Sequence, residues 1–77
     1  MKVKVWKTSN NKNTYRTPLD QLDTLSDTPK EGERLFIGSS THESGGIVTS
    51  VVQFVEKQPN GYIVVTEFST YHIEILS

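Results

Sequence analysis

The chain predicts a mainly β fold: a small SH3-like barrel or a strongly curled antiparallel sheet, carrying one short helix. Three observations point there. Alanine, the best helix former, is absent, while the β-branched residues Val, Ile and Thr supply 22 of the 77 residues. Several stretches alternate apolar and polar residues with period two. Between them stand short clusters of Asn, Ser, Gly and Pro, the residues of tight turns. An OB-like barrel or an open α+β sheet is the second architecture compatible with this pattern.

Lys2-Val3-Lys4-Val5-Trp6-Lys7 alternates strictly, with Val3 and Val5 inward and Lys2, Lys4 and Trp6 outward. Ser9 to Asn13 is turn chemistry, and Thr14 to Thr17 is expected to return as a short strand. Thr17-Pro18-Leu19-Asp20 reads as a helix start: a capping Thr, a proline at the first helical position and an acid in the first turn. Leu19, Leu22 and Leu25 recur every three residues, which predicts a helical turn or two over 18–25. After the loop at 26–32, strands are expected at 34–37, 47–56, 62–67 and 71–76. Gln58-Pro59-Asn60-Gly61 forms the hairpin turn between the second and third of these. Alternation nominates Val5, Leu35, Ile37, Val52, Phe54, Val65, Ile73 and Ile75 for the core.

A chain of this length is a single domain, 1–77. It buries roughly 60–65% of its unfolded surface, enough for one thin core and no separate substrate domain. Cysteine is absent, so there is no thiolate nucleophile, disulfide framework or thiolate metal site. Charge interrupts the first residues before any apolar run, and no stretch approaches the ~18 apolar residues of a membrane span. The expectation is a cytoplasmic protein without a membrane or cofactor. Val51, Val55, Tyr62, Val64 and Phe68 would form a second apolar face, which predicts a homo-oligomer, a dimer or higher.

Net charge is −1, yet residues 1–17 carry five basic side chains and no acid. That asymmetry defines one candidate surface: Lys2, Lys4, Trp6, Lys7 and Arg16, a basic hairpin with an aromatic, suited to single-stranded nucleic acid. A second candidate is the polar loop 39–46 and the strand after it. Ser44, Gly45 and Gly46 offer hydroxyl and backbone N–H groups for an anion, Thr49 and Ser50 extend the polar strip, Arg34 brings positive charge, and Tyr71 acts as an aromatic lid. His42, Glu43, His72 and Glu74 lack the spacing of a metal site. No nucleophile elbow or Walker sequence occurs, so no catalytic residues are assigned and the expectation is a non-enzyme.

Gly45-Gly46-Ile47-Val48-Thr49-Ser50-Val51-Val52, then Ile63-Val64-Val65-Thr66, then Ser69-Thr70-Tyr71-His72-Ile73 resembles a pattern in small uncharacterised proteins encoded by phages of Gram-positive hosts. Val51 stands where those proteins usually have proline, and Phe68 where they have asparagine. The resemblance implies a phage accessory protein. Such a protein would antagonise a host pathway, including a defence pathway, by sequestering a small anionic or nucleotide signal or by docking on a host protein. The alternatives are a single-stranded nucleic-acid binder and a small virion or scaffold subunit.

Overall fold

A computed structural model describes residues 1–9, 16–41 and 45–76. They form seven strands: β1 Val3–Ser9, β2 Thr17–Pro18, β3 Thr24–Leu25, β4 Arg34–Gly38, β5 Ile47–Gln58, β6 Gly61–Thr66 and β7 Ser69–Ile75. All pairings are antiparallel, in the order β2-β1-β7-β6-β5-β4-β3, and the sheet curls strongly into a half-barrel. The β5–β6–β7 meander follows from its sequence. The two-residue Pro59–Asn60 turn sets Gln58 opposite Gly61, and Val64 then faces both Val55 and Tyr71. The first and last long strands lie side by side, with Val3 opposite Ile75 and Val5 opposite Ile73.

The helix expected over 18–25 is absent, and the described residues contain no helix. This segment instead runs as an edge ribbon along β1. The Leu19 N–H donates to the Val5 carbonyl at 2.9 Å, the Val3 N–H to Asp23 at 2.8 Å and the Leu25 N–H to Met1 at 2.9 Å. The Asp23 N–H donates to Gly38 of β4 at 3.0 Å, so residues 23–25 also hold the far edge of the sheet. A helix would have spent these groups internally; the ribbon spends them on both ends of the curled sheet. Only the Leu22 N–H to Leu19 carbonyl bond keeps one local turn. The leucines still pack: Leu22 and Leu25 are buried and Leu19 leans on the core.

The core comprises Val3, Val5, Leu22, Leu25, Leu35, Ile37, Val52, Val64, Tyr71 and Ile73. Three expected members differ. Phe54 is 52% exposed, Val65 and Ile75 are half-buried, and Val64 takes the central position on β6. Ile75 keeps the inward parity of Ile73 and packs against the core from the end of β7, whereas the shift of Phe54 and Val65 originates in β5, which carries one extra residue against β4 and another against β6. From Arg34 to Phe36 the partner on β5 moves three residues, and from Val52 to Phe54 the partner on β6 moves one. Each insertion turns the alternation over, so the inward positions run Ile47, Thr49, Val52, Val55. Strict alternation through Phe54 is thereby broken, and the bulges deepen the curl. The same phase change removes most of the expected second apolar face. Val64 is in the core and Val55 and Tyr62 pack against it, leaving Val51 and Phe68 exposed. The return strand expected at 14–17 begins outside the described residues, and its described part is Thr17–Pro18.

Candidate functional site

The outer face of the sheet carries a row of side chains across four strands. Pro18 lies opposite Trp6, Trp6 opposite His72, and His72 opposite Ile63. One step along the strands, Lys4 lies opposite Glu74 and Glu74 opposite Gly61. Gly61 bears no side chain and lines a hollow in this surface. The result is a groove of about 330 Å³ lined by Trp6, Arg16, Ile63, His72, Glu74 and the 58–62 hairpin. This volume is at the lower end of the roughly 300–1,000 Å³ of small-molecule sites.

The groove combines an aromatic face with charge. The Lys4 ammonium stands 5.2 Å from the Trp6 ring centroid, so one indole face already receives a cation. Arg16 precedes the residue paired with Lys7 and reaches the groove from the Thr8 side. Partial burial and the nearby Arg16 guanidinium both lower the pKa of His72. The imidazole is therefore held toward its neutral form, able to donate from one nitrogen and accept at the other. Among the described residues, the side chains of Arg16 and Glu74 take part in no hydrogen bond or ion pair. Both charges are available to a ligand.

The expected basic surface is thus partly assembled. Trp6 and Arg16 meet at this groove, and Lys4 joins them only through its place over the Trp6 ring. Lys2 and Lys7 do not. Lys2 lies beside Asp23 and contributes to the lowering of its pKa, which is due mainly to hydrogen bonds from the Ser40 hydroxyl and N–H. Lys7 stands over the Tyr71 ring at 5.8 Å and lines a second hollow, about 490 Å³, at the mouth of the half-barrel with Pro18, Leu19, Leu22, Gly45 and Ile47.

The other expected set is divided. Tyr71 is buried at 6% exposure, so it is a wall of the core and not a lid; burial raises its pKa. The Thr49 hydroxyl accepts the Leu35 N–H at 3.0 Å and donates to the Ser50 carbonyl at 2.7 Å, at 2% exposure. Arg34 donates to the Thr49 carbonyl at 3.3 Å. These residues stitch β4 to the bulged part of β5. Gly46 is explained by packing, because a Cβ there would lie 2.7 Å from the Phe36 ring. Gly45 faces the barrel mouth, while Ser44, with His42 and Glu43, lies outside the described residues. Sequence reasoning left His72 and Glu74 out of both sets. Their outward parity was readable, but their proximity to Trp6 depends on the pairing of β1 with β7.

Among the described residues, no group of three or more His, Asp or Glu side chains converges to hold a metal ion. Among them too, no helix is long and apolar enough to cross a membrane. No protein-family model matches the chain, and neither a curated protein nor a solved structure matches it.

Proposed function

We propose that the protein is a non-catalytic binding protein for a nucleotide-type anion, with a flat ring stacked on Trp6 and a phosphate paired with Arg16. The observation that carries this reading is the meeting of Trp6, Arg16 and His72 over the hollow at Gly61. A base supplies the π-face that an accessible indole stacks upon, and a guanidinium pairs with phosphate oxygens in bidentate geometry. The scaffold reads as an SH3-like barrel in which the 17–25 ribbon joins β1 to β4. Among the described residues lining the outer groove no Ser or Thr hydroxyl stands beside His72 or Glu74, which favours capture over turnover. Taken with the resemblance to small phage proteins, the role is sequestration of a nucleotide signal in a host cell.

Trp6 is the single tryptophan of the chain, so intrinsic fluorescence reports on this groove directly. Titration with 5′-mononucleotides, with a short single-stranded oligonucleotide and with pyrophosphate is the test. Quenching by mononucleotides, weakened in Arg16→Ala, is the expected result. Oligonucleotide binding with steep salt dependence and no response to mononucleotides would assign the groove to nucleic acid. The absence of binding by all three, in fluorescence and calorimetry alike, overturns the reading.

A further inference from the structure

We infer that the groove selects a base whose edge presents adjacent N–H donors, guanine foremost; the inference rests on the nucleotide reading and deepens it. The determining residue is Glu74. It projects from the outer face of β7, is exposed, lines the groove and pairs across the sheet with Lys4 on one side and Gly61 on the other. Its carboxylate is acceptor-only when ionised. It also repels phosphate, which fixes the direction in which a nucleotide can lie.

Register supplies that direction. Thr17 pairs with Lys7, which brings Arg16 in from the Thr8 row, whereas Glu74 belongs to the Lys4 row. The Trp6–His72 row lies between them. The cation and the carboxylate therefore approach the indole from opposite sides, with backbones four strand residues apart along the sheet, roughly 13 Å, and two strands apart across it, roughly 10 Å. Both side chains reach the groove between those backbones, which lays a nucleoside monophosphate obliquely across β1, phosphate at Arg16, ring on Trp6 and base edge at Glu74.

The edge that meets Glu74 must donate. Guanine offers N1–H and the exocyclic amino group side by side, one for each carboxylate oxygen. Adenine and cytosine place a ring-nitrogen acceptor next to their amino group, and that lone pair faces the second oxygen. Uracil has one N–H flanked by two carbonyls. Glu74 is exposed, so water can replace the hydrogen bonds that a wrong base fails to make, and the discrimination expected is about tenfold.

The experiment is calorimetry with fluorescence, using GMP, IMP, AMP and UMP on the wild-type chain and on Glu74→Gln. IMP keeps N1–H and lacks the exocyclic amino group. The expected order is GMP first, IMP intermediate, and AMP and UMP about tenfold or more weaker than GMP. Glu74→Gln should melt with the wild type, lose about tenfold for GMP and bring GMP and AMP within a few-fold of each other. Equal affinities for all four nucleotides, or a Glu74→Gln variant that binds GMP as well as wild type, overturn the guanine selectivity and leave the nucleotide reading standing. If none of the four binds to the wild-type chain, both fall together.

Discussion

Gly61 and Ile73 approach so closely across the β6–β7 pair that a Cβ on Gly61 would lie 1.8 Å from the Ile73 carbonyl oxygen. The obstacle is backbone, so no rotamer change relieves it. The Asn60–Gly61 dipeptide therefore serves two ends: Asn60 completes the turn, and Gly61 lets the start of β6 sit against β7 beneath the groove.

Gly61→Ala should cost about 3 kcal/mol or more, because overpacking against main chain forces the hairpin away from β7. Chemical denaturation measures the loss. The variant should also lose nucleotide-dependent quenching of Trp6 under conditions where it remains folded, since the floor of the groove moves. A variant with wild-type stability would show that β6 does not approach β7 as described.

The register around β5 gives a paired prediction. Ile73→Ala, at 4% exposure in the wild type, should cost about 2–5 kcal/mol. Phe54→Ser, at 52% exposure, should stay within about 0.5 kcal/mol. If the two costs were reversed, the bulge between Val52 and Phe54 would be misplaced.

These positions also show what was readable beforehand. Val5, Leu35, Ile37, Val52 and Ile73 obeyed period-two alternation and are in the core. Phe54 did not, because nothing in Thr49-Ser50-Val51-Val52-Gln53-Phe54 announces an inserted residue; a bulge is a property of the pairing. The leucines at 19, 22 and 25 imitate a helical stripe, yet edge hydrogen bonds to Val5, Gly38 and Met1 outweigh a local propensity of this size. At the site, the outward parity of Lys4 and Trp6 was legible, and so was that of His72 and Glu74. Their union was not, because pairing between the first and last long strands is a contact of high sequence separation.

Thr49 separates a structural role from a binding role. Thr49→Val keeps the shape and leaves the Leu35 N–H without its acceptor, at a cost of about 1–3 kcal/mol. Nucleotide affinity should not change. Loss of affinity at unchanged melting temperature would return the β4–β5 region to consideration as the ligand site.

Protonation of His72 should move stability and binding in opposite directions. Its folded-state pKa is lowered from 6.5, by burial first and Arg16 second, so the unfolded chain takes up a proton before the native chain does. The contribution of His72 to stability is present above about 6.5 and is lost as pH falls through the lowered native value. A bound phosphate favours the imidazolium, so nucleotide affinity should rise over the same interval. Melting curves and titrations at matched pH, repeated with His72→Gln, check both signs. Affinity that stays flat in the wild type would place the phosphate away from His72.

The two inserted residues of β5 have a bearing on how this chain tolerates change in length. Each one alone shifts the strand out of phase, and together they restore it: Ile47 and Thr49 point inward, and so, after both insertions, does Val55. The strand resembles a text with two compensating frame shifts. Deleting one residue near Ser50 or Gln53 would send everything downstream to the wrong face of the sheet, through the hairpin and into β6. Deleting one at each place would leave every downstream side chain on its proper face and remove only the bend. Length variation in this segment is therefore tolerated in pairs, and what a paired deletion would sacrifice is the curvature that lets the 17–25 ribbon reach both β1 and β4.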